Sequence, residues 1–239
     1  MDPLTRCPVG LPTDPAAAAA PAGIHIRGDY ASLEPLDPAL HADALWREVG
    51  GVERARLWRY LFDGPFADRD TFESFLRDRA TDPAAVFFTI LAGEERRPQG
   101  WASLMRIEPK HRVVEVGYVL LGPSLQRTRA ATEAMYLLMA HVFDDLAYRR
   151  YEWKCDALNQ ASRDAALRLG FTYEGVFRQH MVVKGRNRDT AWFAITDGEW
   201  PQRKARLQRW LRPDNFDASG QQLTSLREQL PAGPGAASG

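Results

Sequence analysis

VVEVGYVLLGPSLQRTRAATEA (residues 113–134) carries the reading of the fold, and NQASRDAALRLGF (residues 159–171) completes it. The first stretch opens as an apolar run of strand length whose one charge is Glu115. Gly122-Pro123-Ser124 then breaks the run as a turn. Ala131, Ala134, Met135, Leu138, Val142 and Leu146 follow at helical spacing, so a helix is expected over residues 130–147. After a strand expected at 151–155, the second stretch gives a helix over 160–169 that stops at Gly170. A strand that feeds through a turn into a helix leaves unpaired N–H groups at the helix start, a ready anion site.

Upstream, residues 24–27 and 30–36 read as a strand pair turning at Gly28-Asp29. Pro38 opens a helix to about residue 47, and residues 68–79 form an amphipathic helix with Phe72, Phe75 and Leu76 on one face. The segment 57–65 between them is aromatic and irregular. Strands at 85–91, 99–107 and 112–121, joined by polar turns, read as an antiparallel meander. Downstream come strands at 171–180 and 188–196 around Lys184-Gly185-Arg186-Asn187, then a basic helix over 199–211. Strands clustered first and then alternating with helices imply an α+β fold, an α/β sandwich. Its centre is a mixed, mainly antiparallel sheet with helices on both faces.

A length of 239 residues allows one domain with tails. Residues 24–212 are expected to be that domain, between a flexible Pro- and Ala-rich leader (1–23) and a flexible tail (213–239). The 31 basic and 31 acidic residues cancel, which argues against nucleic acid as a partner. No apolar run is long enough to cross a bilayer, and the leader lacks the plan of a signal peptide. Cys7 and Cys155 make neither a disulfide framework nor a metal motif, so a reducing, cytoplasmic setting is the simplest reading. The five histidines show no ligand spacing and no P-loop is present, so neither a metal nor a nucleotide triphosphate is expected.

The order and spacing of these pieces resemble the GNAT N-acetyltransferase superfamily. Within it, the resemblance is to the Rim-type branch of ribosomal-protein N-terminal acetyltransferases, over about residues 30–196. The resemblance implies acetyl-CoA as co-substrate, with no metal. Its pyrophosphate loop reads Gln or Arg, two residues, Gly, one residue, then Gly or Ala. Here Gln126 and Ala131 match and Arg129 replaces the glycine. The backbone of Arg127, Thr128, Arg129, Ala130 and Ala131 is thereby expected at the pyrophosphate. For the Arg127 and Arg129 side chains, phosphate pairing and simple solvation stand as equal readings. By the same resemblance Val119, Leu120 and Leu121 offer a strand edge to the pantetheine arm, although a pure core role also explains them. Asn159 matches the residue that bridges a pantetheine amide; it also suits a helix N-cap.

Direct transfer needs a neutral amine, a proton acceptor, donors for the oxyanion, and an acid for the departing thiolate. Glu115 is the first candidate base, because a carboxylate in an apolar strand is costly unless paired or functional. A salt bridge to Arg106 or Arg112 is the competing reading. Strict alternation puts Glu115, Gly117, Val119 and Leu121 on one face and Tyr118 with Leu120 on the other, unless a bulge intervenes. The superfamily's usual tyrosine acid falls at Ala166. The Rim-type pattern instead places Ser162 three residues after Asn159, with Tyr118 in reserve. Cys155 reads as a buried strand residue.

The acceptor is expected opposite the cofactor, as a protein N-terminal α-amine or a small-molecule amine. Trp46, Trp58, Tyr60, Phe62, Phe66 and Trp101 are available to line its path, most of them as core. Arg178, Arg186 and Arg188 suit an acidic acceptor or a solvated hairpin. The alternative to an enzyme is a degenerate GNAT domain, an acyl-CoA sensor or an interaction module using the basic helix. Dimerisation is common in the superfamily, which leaves a homodimer open.

Overall fold

The computed structural model describes residue 1 and residues 6–227; the PAGPGAASG end expected to be unfolded lies outside them. The strands are β1 (Ile26–Arg27), β2 (Ala31–Pro35), β3 (Ala85–Ala92), β4 (Arg97–Glu108), β5 (Val113–Leu121), β6 (Arg150–Asp156), β7 (Thr172–Val183) and β8 (Arg186–Thr196). They form one sheet in the order β1-β2-β3-β4-β5-β6-β8-β7. Every neighbouring pair is antiparallel except β5 with β6. The helices are α1 (Pro38–Val49), α2 (Arg69–Ala80), α3 (Arg129–Ala140), α4 (Gln160–Leu169) and α5 (Trp200–Leu211). The mixed, mainly antiparallel sheet expected from the strand pattern is the one observed.

Two apolar layers cover the sheet. On one face α1 and α2 bring Leu45, Val49, Phe72 and Leu76 against Phe87, Trp101 and Leu120. On the other, α3, α4 and α5 bring Met135, Leu138, Leu169, Leu207 and Trp210 against Phe88, Leu104, Val114 and Val116. Each such side chain contributes roughly 1.5–3 kcal/mol when fully buried. The helix starts are set locally. Asp37, Asp68, Thr128 and Asn159 each accept a backbone N–H from the first turn they precede. Helix α4 ends at Gly170 with φ +103°, and a Cβ there would meet Arg206 Nη2 at 2.7 Å. The helix expected over 130–147 stops sooner, where the chain widens into a π turn at His141–Asp145.

Strict alternation fails in β5. Trp101 pairs with Leu120 while Ser103 pairs with Gly117, so Tyr118 and Val119 together oppose Ala102. Tyr118 takes a φ of +53° at this bulge. Before it, Glu115 and Gly117 face the α1/α2 layer. After it, Tyr118 and Leu120 take that face and Val119 and Leu121 turn to the other layer. The extra residue therefore corrects the expected split: Glu115 and Tyr118 share a face.

Strands β5 and β6 pair only from Val113 with Arg150 to Val116 with Trp153. Beyond that point β6 continues along β8 alone. The two strands splay, and residues 117–121 are left without a neighbour on that side.

The packed chain also passes the boundary expected at residue 212. After the short 3-10 turn Pro213–Asn215, Phe216 packs edge-on against Trp210, and Leu226 is 1% exposed in the α3–α5 core. Asn215 donates to the carbonyls of Trp210 and Thr224 and accepts the Thr224 N–H. Asp, Ser and Gln dominate this segment and mask its two apolar anchors. In the expected leader, the Ala18 N–H donates to the Pro109 carbonyl and Arg112 donates to that of Asp14.

Candidate active site

The splay opens into a cleft of about 1560 Å³ that is lined from both layers. The cleft is half open, and its volume exceeds the ~300–1,000 Å³ typical of a single small-ligand pocket. Its α3/α4 end is built around a helix start. Thr128 caps α3, its hydroxyl accepting the Ala131 N–H at 3.1 Å. The N–H groups of Arg127, Arg129 and Ala130 make no hydrogen bond among the described residues. Arg127 holds the turn in the left-handed region with φ +62°. Three free donors at the positive end of a helix fit a pyrophosphate.

The side chains around this loop divide. Gln126 bends back, its Nε2 donating to the Leu121 carbonyl at 2.8 Å, so its amide fixes the turn. The Arg129 side chain turns away from the loop. Its guanidinium bonds the Leu211 carbonyl and lies between the rings of Tyr30 and Phe216, at 3.7 and 4.0 Å. Neither φ of the replaced glycine position nor its N–H is compromised, since Arg129 starts α3 in ordinary helical geometry. Arg127 is exposed and makes no ion pair among the described residues.

Along the splay, Val119, Leu120 and Leu121 line the cleft and present the free strand edge. Opposite them Asn159 accepts the Ser162 N–H on Oδ1 at 3.2 Å, while its Nδ2 has no partner among the described residues. The cap and a ligand donor are thus compatible on one side chain. Ser162 Oγ accepts the Trp153 indole N–H at 3.0 Å, and its own proton faces the Cys155 sulfur. Cys155 lies beside it, buried, and burial pushes its thiol up; the Ser162 hydroxyl works weakly the other way.

The α1/α2 face of the splay holds the candidate base. Glu115 is buried, and its Oε2 takes both Arg106 Nη1 at 2.8 Å and Lys154 Nζ at 2.9 Å. Oε1 makes no hydrogen bond among the described residues. The Arg106 pair expected from sequence is present, and Arg112 turns elsewhere. Lys154 goes on to Glu152 at 2.7 Å and lies 3.9 Å from the Trp192 ring. Tyr118 gives its hydroxyl proton to Asp63, and its ring packs against Phe62, Phe75 and Phe87. Tyr60 and Phe62 line the cleft, whereas Trp58 and Trp101 are wholly buried core. Arg178 and Arg186 are exposed on the β7–β8 hairpin, but Arg188 is buried and lines the cleft.

Lys154 and Asp63 were not singled out by the sequence pattern. A signal for Lys154 exists, since alternation along β6 places Arg150, Glu152 and Lys154 on one face. Reading it requires knowing that β6 lies beside β5. Asp63 sits in an irregular segment where no periodicity applies.

Comparison with known proteins agrees with this geometry. Residues 32–172 match the acetyltransferase (GNAT) domain family. A GCN5-related N-acetyltransferase structure from Brucella melitensis is 44% identical, with a TM-score of 0.87 over 89% of this chain and 96% of that one. The uncharacterised N-acetyltransferase YoaA of Bacillus subtilis is 32% identical over 43% of this chain and 60% of its own length. The ribosomal-protein-serine acetyltransferase of Escherichia coli is 36% identical over 34% of this chain and 44% of its own length.

Proposed function

This chain belongs to the GNAT acetyltransferase family, and on that premise we propose that it moves the acetyl group of acetyl-CoA to a primary amine by direct attack within a ternary complex. The observation that carries this is the conjunction at the splay. Free N–H donors at the start of α3, an unpaired strand edge, and a buried carboxylate with one uncommitted oxygen meet in one cleft.

Acetyl-CoA, when bound, supplies the acetyl group as an activated thioester. The N–H groups of Arg127, Arg129 and Ala130 hold its pyrophosphate, and Thr128 and Ala131 shape that turn. Val119, Leu120, Leu121 and Asn159 Nδ2 hold the amide-bearing arm. Gln126 acts by fixing the loop. Glu115 Oε1 accepts the amine proton, directly or through water, while Arg106 and Lys154 orient the carboxylate through Oε2. Ser162, whose lone pair is engaged by Trp153, gives its proton toward the leaving sulfur. Tyr118 is occupied by Asp63, and its role is to shape the acceptor wall. Among the described residues no metal-binding cluster occurs, and no step here calls on one.

The ribosomal-protein relative favours a protein N-terminal α-amine as acceptor, with a small-molecule amine as the second choice. Residues 24–212 are proposed as the catalytic domain, with residues 213–227 packed on it. No helix of the described residues is long and apolar enough to cross a membrane; a cytoplasmic setting is part of the proposal. A homodimer belongs to the same proposal, tested by sedimentation.

The test is calorimetric titration with acetyl-CoA of wild type and an Ala130→Asp variant. Aspartate is favourable in a first helical turn, so the variant should fold while repelling phosphate. Micromolar binding by wild type, weakened tenfold or more in the variant, supports the site. Free-thiol release with an amine panel then reads turnover. A well-folded wild type that does not bind acetyl-CoA would overturn the reading.

A further inference from the structure

Arg188 is a buried charge of the cleft that the proposed mechanism does not use. It is 6% exposed, and it lies on β8 just past the end of the β6 pairing, where Asp156 faces Thr190. Its Nε donates to Thr190 Oγ1 at 3.2 Å, and its guanidinium lies 5.2 Å from the Phe62 ring centroid. Its terminal nitrogens make no hydrogen bond or ion pair among the described residues. Lys154, the other buried cation on this face, is paired with Glu115 and Glu152. Asp156 and Glu115 are near enough for their charges to act on Arg188, yet neither forms an ion pair with it.

A guanidinium stays protonated even when buried, and burying it unpaired is costly. Its free donors form a planar fork suited to a carboxylate. Such a fork lining a cleft marks a place for an anion. The phosphates of acetyl-CoA are not that anion on the proposed site, because the α3 start belongs to the opposite layer of the sheet. Arg188 shares the α1/α2 face with Glu115, Lys154 and Phe62, which is the side from which the amine approaches.

We infer that Arg188 binds a carboxylate carried by the acceptor within a few bonds of the amine that is acetylated. Two sources supply that chemistry. One is the α-carboxylate of a free amino acid; the other is an Asp or Glu side chain beside the first residue of a peptide. The inference rests on the acetyl-transfer reading and names the substrate class of the same site.

The experiment measures binding to the CoA-saturated protein by calorimetry, using paired probes. One pair is the peptide amides Ser-Asp-Ala and Ser-Asn-Ala; the other is serine and serinamide. Wild type should bind the acid member of one pair about tenfold or more tightly than its amide. The pair that discriminates identifies the source. Arg188→Gln should abolish the difference, and Arg188→Lys should keep part of it. Acetyl-CoA affinity should stay unchanged in both, which also certifies that each variant is folded. Equal binding within both pairs by wild type, including no binding of any probe, overturns the inference. So does discrimination that survives Arg188→Gln. Absence of acetyl-CoA binding by wild type is a different failure, that of the acetyl-transfer reading itself.

Discussion

In the proposed mechanism Glu115 serves structure and chemistry through different atoms. Oε2 is committed to Arg106 and Lys154, and Oε1 is left for a proton. Glu115→Gln should therefore cost turnover out of proportion to stability. A kcat loss of about 10²–10⁴-fold is expected, the ordinary yield of general acid–base catalysis, with acetyl-CoA affinity held. Ser162→Ala should lower kcat in the same free-thiol assay while leaving the Asn159 cap intact. Equal falls in thermal midpoint and kcat for Glu115→Gln would make its role structural. At this scale the sequence was legible where the partner is local. Thr128 and Asn159 each bond a residue three positions on. Arg129 was not legible, because its carbonyl partner is 82 residues away and its aromatic sandwich joins two ends of the chain.

Elements were read well and their register less so. Periodicity located each strand and helix of the core, since one buried face imposes a period of two or 3.6. It did not locate the bulge at Tyr118, which reverses the facing of everything after it in β5. Strand β6 carries the same lesson in its charges. Arg150, Glu152 and Lys154 alternate onto one face, and Glu152 takes bonds from both neighbours. Burial alone would raise the Glu152 carboxyl, but the bonds from Lys154 and Arg150 outweigh it and hold the group below its ordinary 4.5. The unfolded chain then binds the proton more readily than the folded one. This contribution is fully present above about pH 4.5 and is lost as pH falls through the lower, folded value. Unfolding midpoints measured from pH 6 to 3 should show a shallower acid limb for Glu152→Gln than for wild type.

On the scale of the whole molecule, composition misplaced the end of the packed chain. Residues 213–227 look like a polar tail, yet Leu226 and Phe216 fasten them to the α3–α5 layer. A chain ending at residue 212 should be less stable by about 2–4 kcal/mol, from one fully buried leucine and part of an aromatic contact. Denaturant unfolding of the shortened and full chains measures this, and equal midpoints would refute it. The same segment also reaches the cleft, where Phe216, Gln221, Gln222 and Arg227 form part of the wall beside the α3 start. Arg129 joins the two, with its backbone in the proposed phosphate loop and its side chain clamped by Phe216. If acetyl-CoA occupies the loop as proposed, its binding and the docking of the segment are expected to be linked, and such linkage is reciprocal: a segment pried loose would loosen acetyl-CoA by the factor by which acetyl-CoA tightens the segment.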